Sequence, residues 1–380
     1  MKAFKNALAF VEGEGLVKTS LSFDKAITDI GDTARGEVIE LPEGAMVLPG
    51  FIDVHIHGAG GSDAMDASGE ALSTIANTVA EEGTTAFLAT TMTQSRENIL
   101  TALSAIKDYR ESEKESGAEI LGVHLEGPFI CEKFCGAQPK EYIAKPTAAQ
   151  FDEYMAASGE SIKVLTFAPE LDGVEDFVRH ITDRGVVASM GHSAAREIDV
   201  SAAIGAGAKS VTHTFNAQSP VHHRDVGVAG SALLYDELYT ELIADGIHIS
   251  VPAMKLLAKN KPEDKLVLVT DAIRAKGLGD GESELGGQKV IVKNGEARIE
   301  NGALAGSVLR MNVALKNLVE RVGVPLEKAI NCATKNPATL IGVYDERGSI
   351  AVGKRADFSV LDNEFNVLLT IREGKIIYKG

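Results

Sequence analysis

Residues 51–58 read Phe51-Ile52-Asp53-Val54-His55-Ile56-His57-Gly58. Alternate side chains of a strand share a face, so His55 and His57 leave its end together. Neutral imidazole is the commonest nitrogen ligand for zinc-like ions, and two imidazoles side by side seldom arise from packing alone. The same stretch separates two folds. An open doubly wound sheet usually follows its first strand with a glycine-rich phosphate turn, and here a histidine pair stands in that place. A (β/α)8 barrel puts its chemistry at the carboxyl ends of its strands, which is where this pair falls.

Outward from this stretch, apolar or β-branched runs recur at 84–91, 119–125, 162–167, 186–190, 209–213, 241–245 and 265–270. Between them lie helical stripes such as Leu72, Ile75, Ala76 and Val79, or Phe177, Val178 and Ile181. With the run at 51–56 these make eight βα units, and they predict an α/β protein with a TIM-type barrel over 51–341, a fold that usually takes about 250 residues plus insertions. Two stretches, 127–147 and 275–303, exceed simple connections and are expected over the barrel mouth. Short alternating runs broken by turns occupy 1–50 and return at 342–380, where Val367–Arg372 and Lys375–Tyr378 flank Glu373-Gly374 as a hairpin. Both ends together predict one small β-sandwich domain that the chain leaves and re-enters.

Composition narrows the partners. The 380 residues are 44% hydrophobic and 24% charged, as in a globular chain with a large core. Lys plus Arg number 38 against 54 Asp plus Glu, a net charge of −16, which disfavours nucleic acid and anionic membranes as partners. Three cysteines, Cys131, Cys135 and Cys332, are too few for a disulfide framework. The first residues lack a signal-peptide apolar run, and no window reaches the roughly 18 uncharged apolar residues of a membrane span. The expected location is the cytoplasm. Cys131 and Cys135 have no second pair to complete a zinc site, Cys332 fits an apolar helix, and His180 belongs to a solvated stripe.

Four further polar residues close predicted strands: Glu126 the third, His192 the fifth, His213 the sixth and Asp271 the eighth. Any one alone reads as a cap or a satisfied core residue. At the rim of a single barrel they converge with His55 and His57, and one carboxylate with four imidazoles suits one or two divalent ions. Asp271 then remains as a proton carrier. Beyond His213 the loop runs through Asn216 and Ala217 to His222-His223-Arg224. A guanidinium there is the usual fork for a phosphate.

These segments carry a resemblance. His55-Ile56-His57, His124-Leu125-Glu126-Gly127-Pro128-Phe129, Gly191-His192-Ser193, Thr212-His213-Thr214-Phe215-Asn216-Ala217, Thr270-Asp271-Ala272 and Leu304-Ala305-Gly306-Ser307 resemble the N-acetylglucosamine-6-phosphate deacetylase family of the amidohydrolase superfamily, over nearly the whole chain. The resemblance implies metal-dependent deacetylation of a phosphorylated amino sugar, in amino-sugar catabolism or cell-wall recycling. It implies that Glu126, His192 and His213 hold the main ion and that His55 and His57 hold a second. The ion is zinc, iron, manganese or cobalt, with zinc or iron preferred. Asp271 is implied as general base and then acid for the attacking water. Arg224 and His248 are implied on the sugar phosphate, across the interface of a homodimer. Ala137, Gln138, Asn216, Ala217, Asp245, Gly246, Leu304, Ala305 and Gly306 are implied around the substrate, and His124 behind the ligands.

Glu126, in place of a bridging carbamylated lysine, separates the chain from the dihydroorotase and hydantoinase branch. Gln138 stands where many relatives carry histidine; it can donate a hydrogen bond but cannot carry a proton. Gln218 and Thr214 also depart from the common pattern and are expected beside the substrate. The competing readings are another acylated substrate, such as N-acetylgalactosamine 6-phosphate or an N-acyl amino acid, and a catalytically dead scaffold. An unphosphorylated substrate needs no Arg224 cluster, and a dead barrel would have lost ligands.

Overall fold

The computed structural model describes residues 1–112 and 116–380. Eight parallel strands form the central sheet: β1 Phe51–Ile56, β2 Thr84–Thr91, β3 Glu119–Glu126, β4 Ile162–Phe167, β5 Val187–Met190, β6 Ser210–Val211, β7 Tyr239–Ile243 and β8 Leu266–Val269. They neighbour one another in chain order, as a barrel requires. The sequence periodicity places β1, β2 and β4 without error and the ends of the others within one or two residues, β6 being the shortest. That strand shrinks to two residues because the backbone turns left-handed at His213, φ 29°.

The seam between β8 and β1 closes at the carboxyl ends. Asp271 N–H donates to His55 O at 2.8 Å, and the amides of His57 and Gly58 both donate to Ala272 O at 2.9 Å. Below them the buried Asp53 carboxylate accepts from Thr270 Oγ1 at 2.6 Å and from its amide at 3.3 Å. An unpartnered carboxylate there would cost several kcal/mol, on the order of a buried polar group left unsatisfied. The barrel is therefore drawn shut where His55, His57 and Asp271 lie.

Helices cover the outside. Gly69–Ala80 is capped by Ser68, whose side chain accepts from Ala71 N, and it buries the expected Leu72, Ile75, Ala76 and Val79. Val174–Asp183 likewise buries Phe177, Val178 and Ile181. Each large apolar side chain withdrawn from water in this way contributes roughly 1.5–3 kcal/mol. Among the described residues, no helix is long and apolar enough to cross a membrane.

The chain ends share one mixed sheet. Lys2–Val11, Gly15–Phe23, Ile27–Gly31 and Met46–Pro49 join Phe358–Leu361, Val367–Arg372 and Lys375–Lys379, with Glu37–Val38 beside the first. Phe23 and Phe358 ring centroids lie 5.0 Å apart although two strands stand between theirs. A flat sheet would separate them by about 14 Å at the usual strand spacing, so this sheet curls into a sandwich around Phe4, Phe23 and Phe358.

Of the two long connections, 127–147 contains two short 3-10 turns. The other builds a three-stranded antiparallel sheet from Gly281–Leu285, Gln288–Lys293 and Glu296–Ile299. Its Leu285, Val290 and Val292 pack on Met92, Ile273 and Ala305 at the mouth. Both stretches lie over the barrel opening, as expected.

Candidate metal centre and active site

A cavity of about 330 Å³ opens at the barrel mouth. His57, Glu126, His192, His213 and Asp271 form its polar floor, with Ala137, Gln138, Asn216, Ala217, His248, Leu304 and Gly306 around it. His55 lies fully buried just beneath. Strand alternation carries His55 and Glu126 inward on β1 and β3. His192, His213 and Asp271 instead each sit two residues past their strands, with φ of 48°, 29° and 48°. Left-handed backbone at residues other than glycine costs of order 1–3 kcal/mol each and persists only where neighbours enforce it. Here Thr214 N–H donates to Glu241 O at 3.0 Å and Ser307 N–H donates to Asp271 O at 2.8 Å.

The donors crowd onto one carboxylate. Glu126 Oε1 lies 3.4 Å from His55 Nε2, 3.2 Å from His192 Nε2 and 3.1 Å from His213 Nε2, while Oε2 lies 3.2 Å from His57 Nε2. Asp271 Oδ1 lies 3.4 Å from His55 Nε2 and 3.3 Å from His57 Nε2.

Hydrogen bonds on the far side of two rings decide what faces inward. His192 Nδ1 donates to Phe134 O at 2.9 Å, so its ring turns Nε2 toward Glu126 and toward His213 Nε2, only 3.1 Å away. His55 Nδ1 donates to Glu241 Oε2 at 2.9 Å, which aims its Nε2 at two carboxylates without a hydrogen-bond partner. Lone pairs and carboxylate oxygens facing one another repel unless a positive charge sits among them. Glu126, His192 and His213 form one triad, and His55, His57 and Asp271 another, each with donor atoms within 4.8 Å of one another. Nitrogen and carboxylate donors at this spacing fit divalent cations.

Proton affinities show the same pull. Burial acts against charge on His55, but Glu126, Asp271 and Glu241 outweigh it and hold the imidazole well above its ordinary range. His57, also opposed by burial, is held up at about 10 by Asp271 and Glu126. Burial would raise the carboxyls, yet the histidines hold Glu126 well below its usual range and Asp271 down at about 2. His124 is pushed down to about 3 by burial and by His55. It is a neutral prop, bonded to Val54 O at 3.0 Å and Thr166 Oγ1 at 2.7 Å.

Other expected residues fall less simply. Gln138 reaches the cavity, but its amide is engaged: Nε2 donates to Glu126 Oε2 at 2.7 Å and Oε1 accepts from Thr93 N at 2.7 Å. It holds Glu126 in place. His248 Nδ1 donates to Asp245 Oδ2 at 2.6 Å, which keeps this imidazole's pKa raised despite burial. Asp245 therefore stands behind His248 and off the cavity wall, as do Gly246 and the buried Ala305. Thr214 and Gln218 are buried and off the wall too, Gln218 Nε2 donating to Thr212 O at 3.0 Å. Arg224 is exposed, bonded to His223, and outside this chain's own cavity.

Sequence reasoning missed Glu241, whose only signal is a lone acid in the otherwise apolar run Leu238 to Ala244 apart from Tyr239 and Thr240. It also missed Lys133 and Phe134 on the cavity wall, where nothing in the local pattern marks them.

Residues 46–377 match the model of the Amidohydrolase family. A curated N-acetylglucosamine-6-phosphate deacetylase of Bacillus subtilis (strain 168) is 44% identical over 342 residues, covering 90% of this chain and 86% of that one. An N-acetylgalactosamine-6-phosphate deacetylase of Escherichia coli O157:H7 is 37% identical over 322 residues, covering 85% of each chain. Among solved structures, a mutant N-acetyl-D-glucosamine-6-phosphate deacetylase from Mycobacterium smegmatis, in complex with N-acetyl-D-glucosamine-6-phosphate, superposes with a TM-score of 0.93 at 28% identity. That match covers all of this chain and 99% of the other.

Proposed function

The chain belongs to the amidohydrolase family, and on that premise we propose the reaction: hydrolysis of N-acetyl-D-glucosamine 6-phosphate to D-glucosamine 6-phosphate and acetate. The observation that carries it is the Glu126 carboxylate ringed by four imidazole nitrogens, with Asp271 beside them at the floor of a cavity. The protein is a metal-dependent hydrolase of a phosphorylated amino sugar.

Glu126, His192 and His213 would hold a divalent ion, with His55 and His57 offering a second position, and such an ion would supply Lewis acidity toward the acetyl carbonyl and the attacking water. Asp271, with its pKa at about 2, is ionised at neutral pH and free to accept a proton. It takes the water's proton as the new carbon–oxygen bond forms. The carbon–nitrogen bond then breaks only if the nitrogen leaves as an amine, and Asp271 returns the proton there. Gln138 and the Phe134 carbonyl keep Glu126 and His192 in place during these transfers.

At the other end of the cavity, His248 backed by Asp245 offers positive charge to the phosphate. Asn216, Ala217, Ala137, Leu304 and Gly306 enclose the sugar and acyl groups, with Gly246 and Ala305 supporting the wall. Arg224, on the surface of its own chain, serves the phosphate of a partner's cavity, so a homodimer belongs to this reading. So do zinc or iron as the ion, a cytoplasmic location, a place in amino-sugar catabolism or cell-wall recycling, and the division into a small β domain of residues 1–50 and 342–380 and a hydrolase domain of 51–341.

The relative from Escherichia coli O157:H7 favours one second reading, the galactosamine epimer as substrate. Acetate release from N-acetylglucosamine 6-phosphate, N-acetylgalactosamine 6-phosphate and unphosphorylated N-acetylglucosamine, before and after chelation, tests both. Chelator-sensitive turnover fastest with the first is expected. Faster turnover of the second would reassign the sugar, and equal turnover of the unphosphorylated sugar would remove phosphate recognition.

A further inference from the structure

Glu241 is a buried acid of the barrel that the proposed reaction leaves without a task. Its side chain is fully buried on β7, and one oxygen, Oε2, accepts two hydrogen bonds: from His55 Nδ1 at 2.9 Å and from the His213 amide at 3.0 Å. Its backbone carbonyl accepts a third, from Thr214 N at 3.0 Å. Among the described residues no lysine or arginine pairs with Glu241, so its buried charge is balanced chiefly by His55, with the His213 amide beside it. Burying a carboxylate at a merely structural position is unfavourable when an apolar residue would fill the same space.

The arrangement has a consequence for His55. A carboxylate only accepts, so the proton of a neutral His55 must sit on Nδ1, and Nε2 is left as a lone pair. That lone pair faces Glu126 and Asp271 at 3.4 Å each. Without Glu241 the ring could hold its proton on Nε2 and donate to those carboxylates instead, which would weaken it as a ligand. The other triad does not depend on the bond to His55. His192 is fixed by Phe134 O, and the turn at His213, although its amide donates to the same Glu241 oxygen, keeps its backbone bond from Thr214 whatever side chain residue 241 carries.

We propose that Glu241 is a positioning residue that fixes the ligand tautomer of His55 and so determines whether the second cation position fills. This rests on the metal-dependent reading above. Glu241 lies off the cavity wall; it acts through His55, and it ties the position of that ring to the His213 turn through a single oxygen.

Zinc bound per chain, measured by equilibrium dialysis at buffered free zinc, tests this with Glu241→Gln and Glu241→Leu. The wild type is expected to bind two zinc ions. Glu241→Gln keeps an oxygen acceptor but not the charge, and should bind two with the weaker affinity reduced about 10–100-fold, the usual effect of removing a partner behind a ligating histidine. Glu241→Leu should bind one. Circular dichroism confirms folding, and if Glu241→Leu fails to fold, Glu241→Gln decides alone. Two ions at wild-type affinity in Glu241→Gln would overturn the proposal. Equal weakening of both ions would overturn it too, by showing a general structural role. A wild type that binds one ion would also overturn it, while leaving a one-ion hydrolase standing. A wild type that binds none would bring down the metal-dependent reading itself.

Discussion

The two sides of the barrel rim hold their chemical groups by different means. On the β1 and β3 side, His55 and Glu126 ride within strands whose ladders are locally irregular but whose backbone at these two residues stays extended, and partners behind them, Glu241 and Gln138, set their orientation. On the β5, β6 and β8 side the strands are four, two and four residues long. There His192, His213 and Asp271 are aimed by left-handed backbone just past each strand. Pleating delivers a donor on the first side at no conformational cost, whereas the second side stores roughly 1–3 kcal/mol of strain per residue. Strain of this kind is retained where a side chain must point in a direction that regular structure does not offer.

The largest expected difference between the sides is at Asp271, the strained residue assigned to proton transfer. Asp271→Asn keeps the side chain's shape and should retain zinc bound by Glu126, His192 and His213. Its kcat should fall about 10²–10⁴-fold, the usual contribution of a positioned acid–base group. Near-normal turnover with metal present would move proton transfer to the strand-borne side.

A second comparison uses pH in the chelated protein. His57 is raised from 6.5 to about 10, so its contribution to stability is complete below pH 6.5 and fades as pH rises through about 10. Asp271 is lowered from 3.8 to about 2, so its contribution is complete above pH 3.8 and fades as pH falls through about 2. The Tm of chelated protein should therefore lose this contribution from pH 6.5 upward, and added zinc should reduce the alkaline loss by replacing the proton. An alkaline profile identical with and without zinc would contradict the pairing.

The smallest effects separate strain with a purpose from strain without one. Ala67 and Ala217 both have left-handed φ, near 50°, but only Ala217 lines the cavity. Replacing either with glycine should stabilise the fold by up to about 1 kcal/mol, as measured by denaturant unfolding. Ala67→Gly should leave KM unchanged, and Ala217→Gly should raise it by loosening the substrate wall. Equal KM values would mean that the rim turns carry no more functional constraint than any loop.

Legibility follows the same division. Apolar runs make β1, β2 and β4 readable to the residue and β3 to within one, and His55 and Glu126 come with β1 and β3, because strand period determines which face a residue takes. The sixth strand was read to residue 213 and ends at Val211, since a single left-handed residue breaks a ladder without leaving a compositional mark. Glu241 was invisible because one acid in an apolar run looks like a solvent-facing position. Only the closed barrel turns it inward against His55. Gln138 was legible as a departure from a familiar pattern, but its partners, Thr93 and Glu126, are brought together by tertiary structure alone. Arg224 shows the opposite limit. Its motif is readable, yet in this chain it lies at the surface, outside the cavity.

The central claim is that the two sides of the rim meet around divalent cations. Anomalous scattering from crystals grown with zinc tests it most directly. The account predicts one peak among Glu126, His192 and His213 and a second among His55, His57 and Asp271. Zinc at surface sites only, with these donors bonded to one another or to water, would contradict it.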